Sequence, residues 1–264
     1  MKDVFVSLAS RDRPDLLSRF ISEVYSSSYN RNNFDIYIII DNDQRDTYKK
    51  QISQYPEILW DFLPHKKNGL NHLYLRAFQK FLASDYYFFW PMVDDIFGFT
   101  REWDKQIILK KHAFMDDLFC LFTANETHGR NNEVKASCYS IPHKRKNRKG
   151  VIFDSVPVQP SDWAMIHGMS ELFPVFSKKW VYFLDKFYQK TQCPGGLDIV
   201  TAALLQQLYI LYNENRNIMA LPAGLECINH YTNHHLMEEK SRPFERKDVK
   251  IIVKEMYQYI KEKS

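Results

Sequence analysis

The sequence lacks long apolar runs, closely spaced cysteines and a large charge surplus of either sign. No stretch of about 18 apolar residues occurs, so no membrane-spanning helix is predicted. The first residues turn polar early, so we expect no secretory signal peptide there. The four cysteines have no CxxC spacing, which favours reduced, buried thiols and a cytoplasmic location.

Charge is nearly balanced, because the sequence has 36 basic and 32 acidic residues, which gives a formal charge of +4. A surplus that small argues against nucleic acid as a partner but is compatible with anionic ligands. A nucleic-acid-binding module built on the basic residues at 143–149 is the non-enzymatic alternative. With 45% hydrophobic and 15% aromatic residues, the chain has ample material for a large core.

Apolar runs alternate with helical patterns through the first half of the chain, which is typical of a parallel sheet covered by helices. Strands are predicted at 4–9, 34–40, 58–62, 86–90 and 117–125, and helices start near 14, 44, 70 and 100. Pro91 has no amide donor, so we expect it at the end of its strand or at a bulge.

The second half is less regular, and its clearest elements are helices. These are predicted at 176–190, 198–212 and 247–263, with Ser177 and Asp198 as N-caps of the first two. The apolar face of the last helix either packs in the core or rests on a membrane. The basic stretch at 141–150 is predicted to be a hairpin with a solvated face, or a lid over a bound ligand.

Polar clusters follow three of the predicted strands at their carboxyl ends. The first strand leads into Ser10, Arg11, Asp12 and Arg13, the second into Asp41 and Asp43, and the fourth into Asp94 and Asp95. In an open parallel sheet, ligands bind beyond these ends, so the three clusters are the candidate site.

The adjacent carboxylates of Asp94 and Asp95 repel each other unless positive charge lies nearby, and a divalent cation is the usual solution. A diphosphate could fill the remaining coordination positions of a cation that is bound there. The structural alternative is a solvated loop with a helix-capping aspartate.

These segments resemble the GT-A glycosyltransferases, in particular family-2-like enzymes that use nucleotide-sugar donors. Residues 10–14 are similar to the nucleotide-binding turn of that family, and residues 34–43 to its second strand. The run FFWPMVDDIF is similar to the strand that leads into its DxD-type motif. The resemblance is best over residues 4–110 and implies a GT-A, Rossmann-like α/β fold.

The resemblance also implies roles for individual residues. Ser10, Arg11, Arg13, Asp41, Asp43 and Asp94 would bind the donor nucleotide, and Asp95, with Asp94, would bind Mn²⁺ or Mg²⁺. Gly69 and Arg76 are similar, at a different spacing, to donor-side residues that precede the motif. His230 is the closest match to a late histidine that some members supply to the metal, with a turn histidine as the alternative.

Many inverting members place a catalytic aspartate or glutamate at the start of a helix in the acceptor half. Asp198, after a glycine turn, is the best match and would act as general base, and Asp162 beside Trp163 is its rival. A plain N-cap is the structural alternative for Asp198.

We therefore expect one GT-A-like domain over residues 1–264, with a nucleotide-sugar-binding half at 1–125 and an acceptor-binding half at 126–264. The predicted activity is sugar transfer from a UDP-sugar to a saccharide or glycolipid, in the cytoplasm or peripherally at the inner membrane face. Three alternatives are a phosphatase that uses Asp41 as nucleophile, a nucleotidyltransferase and an inactive GT-A-like protein. The turn after the first strand has no glycine, which disfavours the nucleotidyltransferase. The sequence does not determine the oligomeric state.

Overall fold

The computed structural model describes most of the chain. The described residues are 2–66, 70–94, 96–112, 114, 116–123, 126–128, 133–135, 144–146, 152–154, 174–191, 193, 196–214, 216–220, 223–227 and 244–264. The strands are β1 (Val4–Ser10), β2 (Phe34–Asp41), β3 (Leu59–Leu63), β4 (Phe88–Val93), β5 (Ile96–Phe99), β6 (Cys120–Thr123), β7 (Glu126–His128), β8 (Glu133–Lys135), β9 (Lys144–Lys146), β10 (Ile152–Asp154), β11 (Val175–Ser177), β12 (Asn217–Ala220) and β13 (Ala223–Cys227). The helices are α1 (Pro14–Ser27), α2 (Lys49–Gln54), α3 (Asn71–Leu82), α4 (Trp103–Ile108), α5 (Lys178–Thr191), α6 (Leu197–Tyr212) and α7 (Arg246–Lys263).

A seven-stranded sheet in the order β12-β6-β11-β4-β1-β2-β3 forms the centre of the protein. Strand β11 runs antiparallel to both of its neighbours, and the other pairs are parallel. The prediction of a mostly parallel sheet flanked by helices is confirmed. Because both faces are covered, β1 and β2 are apolar at nearly every position.

Two hydrophobic cores lie on opposite faces of this sheet. Alternate side chains of β1 point into different cores. Phe5 packs in one core, and Val4, Val6 and Leu8 pack in the other. Helices α3, α5, α6 and α7 cover the Phe5 side, and α1, α4 and β5 cover the opposite side. Each fully buried large side chain contributes about 1.5–3 kcal/mol, so the cores hold the strand ends rigidly in place.

Helix α7 decides between core packing and membrane contact, the two alternatives that the sequence left open for its apolar face. Its apolar face is buried in the core through Val249, Ile252, Val253, Met256 and Ile260. Core packing, and not membrane contact, therefore explains that face. Within the described part of the chain, every helix is too short or too polar to span a bilayer.

Several local expectations need correction. Pro91 lies inside β4, not at its end; β11 pairs with β4 only at Phe88 and Phe89, so near Pro91 the described partner is β1 alone. Asp198 is not an N-cap, because α6 begins at Leu197 after Gly196, which has a φ of 72° that favours glycine.

Other expectations hold. Ser177 caps α5, since its Oγ accepts the amide of Trp180 at 3.3 Å. Within the basic stretch, Lys144–Lys146 forms β9, which pairs antiparallel with β10. The sequence did not indicate the second sheet, in which β5, β13, β7 and β8 pair in that order.

Asp104 joins α4 to the chain that follows α1. Its buried carboxylate accepts the amides of Tyr29 at 2.6 Å and Asn30 at 3.0 Å, and the side-chain amide of Asn33 at 2.8 Å. These bonds fix the turn that leads into β2, and so indirectly the position of Asp41 at the end of that strand.

Replacing Asp104 with alanine should lower the free energy of unfolding by about 3 kcal/mol, because three donors lose their buried acceptor. Urea denaturation measures this loss. The control is Asp46→Ala at an exposed position, with an expected change within about 0.5 kcal/mol. Equal midpoints for the two variants would contradict the assigned role.

Candidate functional site

The predicted clusters at the ends of β1, β2 and β4 meet at one edge of the sheet. Arg11 connects β1 to the end of β2, and Ser10 connects β1 to the end of β4. Six residues singled out in the sequence thereby come together, namely Ser10, Arg11, Arg13, Asp41, Asp43 and Asp94.

Arg11 is held between two carboxylates. Its Nη1 donates to Asp41 Oδ2 at 2.7 Å, and its two terminal nitrogens donate to both oxygens of Asp43 at 2.9 and 2.7 Å. The Nδ1 atom of His65 lies 2.9 Å from the same oxygen of Asp41. The hydrogen bond from Arg11 lowers the pKa of Asp43, and the two carboxylates raise the pKa of Arg11. The pair is therefore ionised at neutral pH.

Asp94 is the second centre of the site, and its side chain is fully buried. The Ser10 hydroxyl donates to its Oδ2, and Arg13 Nη2 lies 3.0 Å from its Oδ1. The Tyr48 hydroxyl lies 2.7 Å from Ser10 Oγ and accepts the Arg13 amide at 3.0 Å. Because the proton of Ser10 goes to Asp94, Tyr48 donates to Ser10. Burial raises the pKa of Tyr48, which keeps this donor protonated.

The turn between β1 and α1 places the two arginines. Asp12 has a φ of 58° and its amide donates to Gln44 Oε1 at 3.2 Å. Asp is one of the few non-glycine residues that tolerate this left-handed conformation. Pro14 then begins α1, and its fixed φ suits the first helical position. The turn lets Arg11 reach β2 while Arg13 reaches β4.

A cleft of about 160 Å³ opens beside these residues. Its lining combines apolar side chains with one acid and several bases: Ala9, Ser10, Arg11, Arg13, Ile39, Asp41, His65, Lys66, Leu70, His72 and Leu73. The volume is below the roughly 300 Å³ at which drug-sized pockets begin, so only part of a nucleotide would fit in it.

The remaining predicted residues stand as follows. Gly69, Asp95, Asp162 and His230 lie outside the described residues. Asp198 lies in the first turn of α6, but its side chain is outside the description. Arg76 does not belong to the described lining of the cleft; its Nε donates to Asp61 of β3 at 2.7 Å. The site roles of these residues stay predictions.

Asp94 is the described member of the predicted metal ligands. The Ser10 hydroxyl donates to its Oδ2, and its Oδ1 lies at ion-pair distance from Arg13 Nη2. Across the described part of the chain, no three His, Cys, Asp or Glu side chains converge on a metal-sized position. Metal ligation by Asp94, Asp95 and His230 stays a prediction.

Sequence reasoning missed Tyr48 and His65. Tyr48 falls in a segment predicted as a polar helix, and no local pattern distinguishes this buried tyrosine from a surface one. His65 follows β3 at the same carboxyl edge as the other clusters, so the rule that located Asp41 applies to it as well.

Comparison with known proteins agrees with this architecture. No family model and no curated protein matches the sequence. Among solved structures, Staphylococcus aureus TarS 1–349 in complex with UDP-GlcNAc matches with a TM-score of 0.59 at 11% identity, over 97% of this chain and 72% of that chain. GalNAc-T7 with UDP, GalNAc and Mn²⁺ matches with a TM-score of 0.59 at 11% identity, over 85% of this chain and 43% of that chain.

This chain has the GT-A fold. The expectation from the sequence resemblance is thus confirmed for the fold. The 4-diphosphocytidyl-2C-methyl-D-erythritolsynthase of Anaerococcus prevotii also matches, at 12% identity, over 97% of this chain and 96% of that chain. Its TM-score of 0.48 is too low to bear on function.

Replacing Tyr48 with phenylalanine should lower the free energy of unfolding by about 1–2 kcal/mol, because Ser10 and the Arg13 amide lose a buried partner. Chemical denaturation checks this expectation. Tyr29→Phe, at a tyrosine that is 59% exposed, is the control and should stay within about 0.5 kcal/mol of wild type. A Tyr48 variant as stable as the control would mean that the hydroxyl does not brace the turn.

The shifted pKa of Asp61 should make the stability of the protein depend on pH. Burial alone would raise its pKa, but hydrogen bonds from Arg76 and Tyr37 outweigh burial and lower it. A lowered folded pKa stabilises the protein above the ordinary value of 3.8, and this contribution is lost as the pH falls through the folded pKa. The stability advantage of wild type over Asp61→Asn should be constant near neutral pH and shrink below about pH 4. Denaturation at a series of pH values tests it, and a constant difference throughout would refute it.

Proposed function

We propose that this protein transfers a sugar from a nucleotide diphosphate, in particular a UDP-sugar, to a hydroxyl of a saccharide or glycolipid. The main support is the cleft at the carboxyl edge of the sheet, where Asp41 and several basic side chains converge within a GT-A fold. The TarS and GalNAc-T7 structures that share the fold contain UDP-GlcNAc and UDP, respectively.

The nucleoside would bind at the Asp41 end of the cleft. The Asp41 carboxylate is largely buried and is oriented by Arg11 and His65, so it presents a fixed acceptor to a base N–H or a ribose hydroxyl. Ile39 and Ala9 supply apolar lining beside it, against which a flat ring can pack.

The acceptor would bind through the second half of the chain, at 126–264. There Asp198 would act as general base, with Asp162 as its rival, and the hairpin of β9 and β10 would close over the donor.

The proposal includes a divalent cation that is held by Asp95, together with Asp94 and His230. Bound there, Mn²⁺ or Mg²⁺ would neutralise the diphosphate as it leaves. The chain's described residues would orient the nucleotide and the sugar-bearing phosphates. In this scheme the protein works in the cytoplasm, and membrane association would be peripheral and would involve the polar face of α7.

Calorimetric titration of UDP, UDP-GlcNAc and a panel of other nucleotide-sugars, with and without Mn²⁺, tests the proposal. We expect binding of UDP and at least one UDP-sugar. Asp41→Asn should weaken the binding of UDP about tenfold or more, because a charge-assisted acceptor is lost.

The matched control is Asp46→Asn, at an exposed aspartate near the end of the same strand, which should bind UDP like wild type. Turnover of a UDP-sugar, measured by UDP release in the presence of saccharide acceptors, distinguishes an enzyme from an inactive nucleotide-binding protein. A folded wild-type protein that binds none of the nucleotides would end the proposal.

A further inference from the structure

Helix α7 carries a concentrated surplus of positive charge. It contains six basic and three acidic residues, a surplus of three. The whole sequence has a surplus of four. The basic stretch at 143–149 is the other place where positive residues cluster, and α7 is the one whose side chains the structure describes.

Most of the lysines of α7 lie along its outer face. Residues three or four positions apart are neighbours on a helix surface, and one such row of exposed side chains consists of Lys247, Lys250, Ile251, Lys254, Gln258 and Lys261. This row, here called the lysine face, has no acidic member and extends about 21 Å at the rise of a helix. Lys247, at its start, pairs with Glu245 at 2.7 Å. Because the opposite side of the helix is packed in the core, the lysine face is fixed toward solvent.

Two lysines in the middle of this face are not neutralised by the protein. Within the described part of the chain, Lys250 and Lys254 form no ion pair. Glu255 follows Lys254 directly, but its carboxylate pairs with Lys186 of α5. The amines of Lys250 and Lys254 are therefore available to an anion outside the protein.

The shape and composition of the lysine face suit an extended anionic surface. A row of lysines along a convex helix encloses no small ligand, but all of its amines can meet a plane of phosphates at once. Ile251 is 43% exposed within the row, and the half-buried Tyr257 stacks on Tyr212 of α6 with ring centroids 3.9 Å apart. Lysine and tyrosine are both favoured at the boundary between lipid and water.

The apolar side of α7 restricts how such a surface could be bound. A helix that inserts into a bilayer buries its apolar face among the acyl chains. Here that face is already buried in the protein core, so the helix can only rest on the headgroups. Attraction would then come mainly from charge and would require anionic lipids.

The start of α7 is linked to the rim of the cleft through the end of α5. Asn71 Nδ2 donates to the Tyr188 carbonyl at 3.3 Å, and Leu70, which precedes Asn71, lines the cleft. Next to Tyr188, Phe187 packs against Phe244 just before α7, with ring centroids 5.3 Å apart. A surface bound along α7 would thus adjoin the part of the protein that continues into the cleft.

We propose that the lysine face of α7 binds the surface of an anionic phospholipid membrane. Lys250 and Lys254 contact the lipid phosphates, and Ile251 contacts the headgroup layer between them. This inference deepens the proposed function, because it names the surface that would bring the cleft to a glycolipid acceptor. That consequence rests on the proposed function, whereas lipid binding itself does not require sugar transfer.

Co-sedimentation of the whole protein with lipid vesicles tests the inference. At low salt, wild type should bind vesicles of phosphatidylcholine mixed with an equal amount of phosphatidylglycerol, and bind phosphatidylcholine alone about tenfold or more weakly. High salt should release it, since exposed charges are screened. Lys250→Gln/Lys254→Gln should weaken binding to the anionic vesicles about tenfold or more, because each lysine near such a surface contributes about fivefold.

The matched control is Lys49→Gln/Lys50→Gln, at two exposed lysines of α2. It removes the same net charge and should bind the anionic vesicles like wild type. Both double variants change exposed side chains, so their thermal unfolding should match that of wild type. Their affinity for UDP without vesicles should also be unchanged.

Three results would overturn the inference. Equal weakening by the two double variants would mean that net charge, and not the lysine face, attracts the protein to lipid. Loss of vesicle binding in Lys144→Gln/Lys146→Gln, with wild-type binding in the α7 variant, would move the contact to β9. Self-association of wild type that the α7 variant abolishes, or oligonucleotide binding as tight as vesicle binding, would assign the face to a second copy or to nucleic acid.

The nucleotide titration separates this inference from the proposed function. A protein that binds anionic vesicles through α7 but no nucleotide would refute the proposed function and leave the lysine face as a membrane contact. A protein that binds UDP but not anionic vesicles would refute the inference and leave the proposed function.

Discussion

The site depends on the pairing of two arginines from one turn with carboxylates at the ends of two different strands. Parallel strands bring their carboxyl ends to one edge, and here those ends carry Asp41 and Asp94. Without compensation, acids gathered there would repel one another and resist burial. Arg11 and Arg13 compensate them separately, and Asp12, in its left-handed conformation, lies between the two.

The surrounding fold serves this arrangement by fixing the three segments that contribute to it. The two cores clamp β1, β2 and β4 from both faces, so their ends hold constant positions. Tyr48 and Gln44, which follow β2, then bond back to the β1–α1 turn. The turn is consequently braced by its neighbour in the sheet as well as by its own helix.

Groups of both charge signs line the cleft. Among them are the Asp41 carboxylate and the side chain of Arg13, which contacts the buried Asp94. The proposed ligand, a nucleotide, has donor groups on its base and ribose and negative charge on its phosphates. The neighbours that share the fold were solved with UDP-GlcNAc and with UDP, respectively.

The sequence by itself determined the alternation of strands and helices and the mostly parallel sheet, because these depend on local periodicity and on where apolar runs end. The GT-A fold was implied by the resemblance of its strand-end motifs to that family. It also located Ser10, Arg11, Asp41 and Asp94, since strand ends can be found from the same runs. Only the tertiary structure decided which groups pair: Ser10 meets Asp94 and Tyr48 across 84 and 38 residues of chain. Local pattern carries no information about such distant contacts. Likewise, the place of Pro91 inside β4 depends on how far the antiparallel β11 extends, which is a property of the packed sheet.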